Sequence, residues 1–247
     1  MTFANLGIPP ATRTYPPWKK ALIEKVDRAL CLAWERVRQG YPHLIAGADE
    51  DLLTDQMKTE LVALRKVDTP AGFNCYVFGV PMRDAKTRTG SGNSIDAMPD
   101  LTIHLAESRP DVEDDHDALY FECKVVAPRR GLSLYDKNGI QRFVDGWYAS
   151  RMPHAGMVAY ALDVHHICPT TSLTPYLKKK ERTLNTTNGA RLRCISGPIK
   201  AMAAPGAMAA DIAETVHGRS FPDQPHLRPS DISLRHLWLL PLLPGKP

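Results

Sequence analysis

Three charged residues, Asp100, Glu122 and Lys124, fall in segments whose other residues are mostly apolar. Glu122 and Lys124 are two positions apart in the run 119–126, and residues two apart on a β-strand point to the same face. A carboxylate and an ammonium inside an apolar strand are costly unless they are paired or functional. Asp100 opens the preceding strand-like segment, residues 100–105, from which it can approach Glu122.

Two carboxylates on neighbouring strands offer the hard oxygen ligands that Mg²⁺ prefers. A bound Mg²⁺ polarises a phosphodiester and lowers the pKa of a bound water, which can then attack phosphorus. Lys124 is suited to orient that water or to stabilise the charge that builds up in the transition state. The backbone carbonyl of Cys123 can add a further ligand. The residues therefore predict a Mg²⁺ site, at which Mn²⁺ can substitute, formed by Asp100, Glu122 and Cys123.

A Glu-x-Lys pair by itself is weak evidence, because chance supplies about half of one in a sequence of this composition. Glu122-Cys123-Lys124 is the one such triplet in the chain, and it lies inside a strand-like apolar run. It also follows Pro99-Asp100, which opens a strand-like segment of its own. The alternative is a surface ion pair between Glu122 and Lys124 on the exposed face of an edge strand.

The elements that must position these residues are visible in the hydrophobic pattern. Apolar residues at helical spacing predict a first helix from about Trp18 to Val37, ended by Gly40 and Pro42. A second helix is predicted to begin near Asp49, where acidic residues in the first turn suit the helix dipole. Strands are predicted at residues 73–80, 100–105, 119–126, 157–162 and 232–240. A helix containing Ile140, Phe143, Val144 and Trp147 and ended by Gly156, and a basic helix over 173–184, complete the prediction.

The order helix, strand, strand, strand, helix, strand predicts a meander followed by a crossover helix to a parallel strand. The fold class is therefore α/β, with a mixed β-sheet flanked by helices. A single domain over residues 1–247 is expected. Its core is placed at about 49–165, with a helical N-terminal extension at 15–40 and basic C-terminal additions at 170–247.

Composition restricts the protein class only loosely. The formal net charge of +4 is mild, and five cysteines without a CxxC pair favour reduced thiols. The N-terminal residues do not show the charged and apolar regions of a secretory signal. The longest apolar stretch, residues 236–243, is too short to span a bilayer. We expect a cytoplasmic protein with no membrane partner.

Pro99-Asp100 together with Glu122-Cys123-Lys124 resembles the PD-(D/E)XK signature of restriction-endonuclease-like nucleases. The predicted order of elements matches the αβββαβ core of that superfamily. Residues 139–149 and 156–158 are also similar to uncharacterised bacterial nucleases associated with restriction and anti-phage defence. The resemblance covers roughly residues 49–162, with weaker similarity at 216–217 and 236–238.

The resemblance implies a metal-dependent nuclease, endonuclease or exonuclease, that hydrolyses phosphodiester bonds, usually of DNA, in bacterial restriction or antiviral defence. Its partners would include a helicase, an ATPase or another subunit of a defence system. The superfamily also contains RNA-cutting and inactive members, so fold does not fix the substrate. An RNA nuclease and a non-catalytic subunit for nucleic-acid binding or assembly therefore remain alternatives. The oligomeric state, including a homo-oligomer, stays open.

The resemblance also suggests additional site residues. Many relatives place another Glu on the helix before the first strand, where it helps to hold the metal; Glu50 fills that position as a catalytic and metal-binding residue, with Glu60 as the reserve. Acidic residues in a first helical turn are stabilising on their own, which explains Glu50 equally well. Gln141, expected on one helical face with Asp145 and Tyr148, corresponds to a polar residue near the metal. Arg142 is a candidate phosphate contact. A solvated helix face accounts for Gln141 and Arg142 equally well.

Further basic residues are suited to contact a nucleic-acid backbone. They fall in a Gly- and Thr-rich loop and in the predicted basic helix: Arg83, Lys86, Arg88, Lys178, Lys179 and Lys180. A run of basic residues is more often a solvated surface. The binding role is favoured here because the motif at Glu122 accompanies it.

Overall fold

The computed structural model describes residues 14–86, 98–127, 132–162, 172–173, 175–178, 193–195, 210–219, 221 and 230–241. Three helices come first: α1 (Lys20–Gly40), α2 (Pro42–Gly47) and α3 (Glu50–Lys66). The apolar stripes that predicted α1 and α3 are buried, from Val26 to Val37 on α1 and from Leu53 to Leu64 on α3. Helix α2 was not predicted, because Pro42 starts a helix here instead of ending one, a position that proline favours.

Within the described residues, six strands form one mixed sheet. They are β1 (Leu101–His104), β2 (Ala118–Val126), β3 (His154–Ala161), β4 (Arg193–Ile195), β5 (Ala210–His217) and β6 (Ile232–Leu239). Their order across the sheet is β1-β2-β3-β6-β5-β4. The pairs β2–β3 and β3–β6 are parallel, and the other pairs are antiparallel. Since α3 contacts β2 and α1 contacts β6, the predicted α/β class with a mixed, helix-flanked sheet is confirmed.

A helical segment crosses from β2 to the parallel strand β3, as predicted. It consists of α4 (Leu132–Tyr135), a π-helical stretch (Asp136–Ile140) and α5 (Gln141–Val144). The segment lies directly against the sheet at Gly139. A Cβ atom there would lie 2.4 Å from the Met157 methyl carbon and 3.7 Å from Cγ of Glu122. The missing side chain therefore lets the helix cover Glu122 closely.

The predicted strand at residues 73–80 is wrong. These residues form turns and one isolated bridge, from Phe78 to Leu105; a second isolated bridge, from Met82 to Thr102, follows the segment. The side chain of Asn74 accepts hydrogen bonds from the backbone N–H groups of Tyr76 and Val77, at 3.0 and 3.2 Å. Such local bonds compete with the ladder of a strand. The first strand of the predicted αβββαβ order is thus reduced to bridges.

The end of the helix after β2 was also predicted wrongly. The helix ends at Val144, so Trp147 lies outside it. Gly146 follows with φ +76, a conformation that glycine adopts most easily. Gly156, predicted to end the helix, lies inside β3 instead. A Cβ atom at Gly156 would lie 2.2 Å from the ring of Phe121, so glycine here makes room for that ring.

The C-terminal part of the chain supplies three strands of the sheet. β6 was predicted, whereas β4 and β5 were not. Of the predicted basic helix, residues 175–178 are helical, and the positions after Lys178 lie outside the described residues. Three of the cysteines, Cys31, Cys75 and Cys123, are free thiols, as predicted. In the part of the chain described here, no helix is long and apolar enough to cross a membrane.

Candidate active site

The predicted residues meet at one end of β2. Glu122 and Lys124 lie on the same face of β2, opposite Met157 and Ala159 of β3. Asp100 immediately precedes β1. Glu50 is the first residue of α3, whose N-terminus is capped by the side chain of Asp49. The sheet and one helix terminus therefore bring together four residues that are separated by as many as 74 positions in the chain.

The ammonium of Lys124 lies among four oxygen atoms. Its Nζ is 2.9 Å from Glu50 Oε1, 3.1 Å from Asp100 Oδ2 and 3.0 Å from Glu122 Oε1. It also donates to the backbone carbonyl of Cys123, at 2.7 Å. The Lys124 side chain is largely buried, so these contacts replace most of its hydration. The three carboxylates and the carbonyl therefore form a cluster of oxygen atoms that stabilises a buried positive charge.

Two of the carboxylates also bind the backbone of β2 where β1 does not reach. β1 begins at Leu101, which pairs with Phe121, so within the described residues β2 has no β1 partner beyond that point. There the N–H of Cys123 donates to Asp100 Oδ2 at 2.7 Å. The N–H of Val125 donates to Glu50 Oε2 at 2.9 Å. The carboxylates thus satisfy donors that an adjacent strand would otherwise bind.

Glu122 is fully buried and has a second cationic neighbour. Nη1 of Arg142, from α5, lies 2.7 Å from Glu122 Oε1 and 2.9 Å from the hydroxyl of Tyr148. Oε2 of Glu122 has no hydrogen-bond partner among the described residues. This geometry excludes the alternative of a surface ion pair on an edge strand, because β2 lies between β1 and β3 and Glu122 is inaccessible to solvent.

Burial and the negative charge of Asp100 raise the pKa of Glu122 to about 7. Burial lowers the pKa of Lys124, but the carboxylates of Glu122, Asp100 and Glu50 outweigh burial and hold that pKa above its ordinary value. Lys124 therefore stays charged at neutral pH. Burial and the charge of Glu122 raise the pKa of Tyr148 to about 12, so its hydroxyl stays neutral.

The residues present fit a Mg²⁺ ion that keeps much of its water. Among the described residues, no group of three or more His, Cys, Asp and Glu side chains is arranged to hold a metal. Mg²⁺, however, usually binds one or two carboxylates together with water and substrate phosphate. Among the described residues, Asp100 accepts two hydrogen bonds, both through Oδ2. Oδ1 of Asp100 and Oε2 of Glu122 thus remain for a hard cation. Both oxygens of Glu50 are already engaged.

The other predicted residues are less closely tied to this cluster. Gln141, on α5, donates to Asp145, the residue that caps the end of this helix, at 2.7 Å. Tyr148, predicted on the same helical face, is buried and lies beyond the end of α5. Arg83 binds Asp51 next to Glu50, with Nη2 2.5 Å from Oδ1. Of the remaining basic residues, Lys178 is exposed. Lys86 is exposed too, and Arg88, Lys179 and Lys180 lie outside the described residues.

The sequence did not predict that Arg142 pairs with Glu122 and Tyr148. Its one signal was an arginine and a tyrosine close together on the crossover after the Glu-x-Lys strand.

The comparisons with known proteins add no relative: no family model matches the chain, and neither does a curated protein or a solved structure.

Proposed function

We propose that the chain is a metal-dependent nuclease that hydrolyses phosphodiester bonds of DNA, with Asp100, Glu122 and Lys124 at its centre. One observation carries the proposal: three carboxylates converge on one buried ammonium, and Glu122 keeps a buried oxygen that has no partner among the described residues. Leaving a buried acceptor unsatisfied costs about 1–3 kcal/mol. A cation that binds this oxygen would offset that cost.

The charge of the cluster supports the same function. Glu50, Asp100 and Glu122 carry three negative charges when ionised, and Lys124 and Arg142 carry two positive ones. One negative charge is left over, which favours binding of a further cation. When bound by Asp100 and Glu122, Mg²⁺ would polarise the phosphodiester and acidify a water molecule.

Each residue of the chain then has a distinct task. Asp100 and Glu122 hold the metal, and the Cys123 carbonyl can supplement them. Glu50 holds the ammonium of Lys124 and the end of β2 in place. Lys124 orients the attacking water or stabilises the charge that develops on the phosphoryl oxygens.

Cleavage assays test this function directly. The wild-type protein, Lys124→Ala and Asp100→Asn are offered supercoiled plasmid, linear duplex DNA and single-stranded RNA, each with Mg²⁺, with Mn²⁺ or with a chelator. The matched control is Asp55→Asn, which removes an exposed acid from the same helix as Glu50. We expect the wild type and the control to cut DNA in the presence of metal, and the two site variants to be inactive.

The outcome distinguishes the alternatives. Cleavage restricted to RNA would favour an RNA nuclease with the same residues. Equal activity of Lys124→Ala and wild type, or no cleavage of any substrate, would favour a non-catalytic subunit for nucleic-acid binding or assembly. A role in bacterial restriction or anti-phage defence, in the cytoplasm and with a helicase or ATPase partner, rests on the sequence resemblance alone.

A further inference from the structure

Arg142 has hydrogen-bond donors at the proposed centre that no described residue accepts. A guanidinium carries five N–H groups, and Nη1 uses both of its own, on Glu122 and on the Tyr148 hydroxyl. In the described part of the chain, Nη2 and Nε make no hydrogen bond. The Arg142 side chain is 35% exposed, so a ligand that arrives from solvent can contact it.

Lys124, in contrast, has no unused hydrogen-bond donors. Its three N–H groups face four oxygen atoms between 2.7 and 3.1 Å away. Of the two cations bound to Glu122, Arg142 is therefore the one that can bind an incoming anion without giving up its present partners. A planar pair of N–H groups matches two phosphate oxygens, which makes arginine suited to this role.

Tyr148 is held rigidly on the other side of Nη1. Its buried ring packs edge-on against Phe143, with 5.6 Å between ring centroids. The adjacent loop contains Gly146 at φ +76 and Ala149 at φ +50, a left-handed conformation that is unfavourable for alanine. Nη1 of Arg219 donates to the Ala149 carbonyl at 2.9 Å and fixes that conformation. Strain of this kind persists where the surrounding structure imposes it, often at functional sites.

We infer that Arg142 binds a phosphate of the substrate backbone beside Glu122, and that Tyr148 is a positioning residue that aims Arg142 at that phosphate. The inference rests on the proposed nuclease function and gives it a substrate contact at the reacting centre. Tyr148 acts through Arg142: its neutral hydroxyl accepts one N–H of Nη1 while Glu122 accepts the other, which fixes the plane of the guanidinium.

A double-mutant cycle tests both roles. Arg142→Gln, Tyr148→Phe and the double variant are compared with wild type and with Lys137→Gln, which removes an exposed charge from the same helical segment. Binding of a labelled DNA duplex is measured by fluorescence anisotropy in Ca²⁺, and kcat and KM are measured in Mg²⁺. Thermal midpoints show whether each variant is folded. Arg142→Lys serves as a second variant that keeps the buried charge.

We expect Arg142→Gln to weaken duplex binding and to lower kcat/KM, by about tenfold to a hundredfold. Tyr148→Phe should lower kcat/KM about fivefold, and the double variant should be no worse than Arg142→Gln alone. Arg142→Lys should recover binding only in part, and Lys137→Gln should stay within about twofold of wild type.

Two results would overturn the inference while leaving the nuclease proposal intact. One is a wild type that cuts DNA together with an Arg142→Gln variant that binds and cuts as well as Lys137→Gln does. The other is a Tyr148→Phe effect that is equally large with and without Arg142, since Tyr148 would then not act through Arg142. A wild-type protein that neither binds nor cuts nucleic acid would instead overturn the proposed function, and the inference with it.

Discussion

Replacing Lys124 with methionine removes the positive charge on which the proposed centre converges, while keeping a side chain of similar length. The variant deletes ammonium contacts to Glu50, Asp100, Glu122 and the Cys123 carbonyl, all at 2.7–3.1 Å. We expect the protein to lose stability without divalent metal and to regain much of it when metal is added.

The magnitude follows from the burial of each partner. Removing one member of a buried ion pair costs about 3–5 kcal/mol. The cost should be smaller here, because Asp100 and Glu50 are partly exposed and Glu122 keeps Arg142. We therefore expect the free energy of unfolding of Lys124→Met to fall by about 2–4 kcal/mol at pH 7.5 in chelator.

Metal should act on wild type and variant differently. A ligand at one hundred times its Kd stabilises the folded state by about 2.7 kcal/mol. In wild type the ammonium of Lys124 binds the same two carboxylates through their other oxygens and repels a cation there, whereas Lys124→Met lacks this repulsion. Mg²⁺ or Mn²⁺ should therefore raise the stability of the variant more than that of wild type.

Urea unfolding followed by circular dichroism, in chelator and in 10-fold steps of Mg²⁺, measures both effects. Lys137→Met is the control, because it removes an exposed lysine from the helical segment that covers Glu122. A Lys124→Met protein as stable as this control in chelator would refute the buried ion cluster. A destabilised variant whose stability does not respond to either metal would refute the metal site.

Three further predictions concern the fold that supports the site. Burial lowers the pKa of His236 to about 3. Because the unfolded chain protonates this histidine near pH 6.5 and the folded state does not, the contribution of His236 to stability should fall by about 2 kcal/mol between pH 7.5 and 5. His236→Gln should flatten that pH dependence in urea titrations, and an unchanged slope would contradict the burial. Asp49 accepts from two backbone N–H groups at the start of α3, so Asp49→Ala should cost about 1 kcal/mol in urea unfolding, whereas Asp55→Ala should not. Gly146→Ala would force alanine to φ +76 and place its Cβ 2.2 Å from the Phe221 ring, so its thermal unfolding should show a loss of about 2–3 kcal/mol; a wild-type melting temperature would contradict this geometry.

The parts of the fold that could be predicted are those in which one periodic pattern acts alone. The apolar stripe from Leu53 to Leu64 defines α3, and mostly apolar runs define β2 and β3. The convergence of Glu122, Lys124 and Asp100 followed from strand geometry, because alternation fixes which side chains share a face. These are local rules that do not depend on the rest of the chain.

The parts that could not be predicted depend on contacts between distant residues. Residues 73–80 have the composition of a strand, but the side chain of Asn74 captures the backbone donors that a strand would use. The hydrogen bond from Arg142 to Tyr148 depends on Gly146, a residue with left-handed backbone conformation between α5 and Tyr148. No periodic pattern in the sequence predicts that conformation. The helix dipole alone could explain a glutamate at position 50. The hydrogen bond that Glu50 accepts from the N–H of Val125 depends on the sheet, which places β2 next to the start of α3.

The carboxylates that cap β2 have a consequence for association with other chains. A strand with free backbone donors and acceptors is a template on which a second protein can add a strand, and buried or inward-pointing charge is one way to prevent this. Asp100 and Glu50 occupy the free donors of Cys123 and Val125, so an approaching strand would have to displace two charged groups. Asp100 and Glu50 would thus also hinder strand addition where β2 extends beyond β1, and neutralising them would increase the tendency to aggregate.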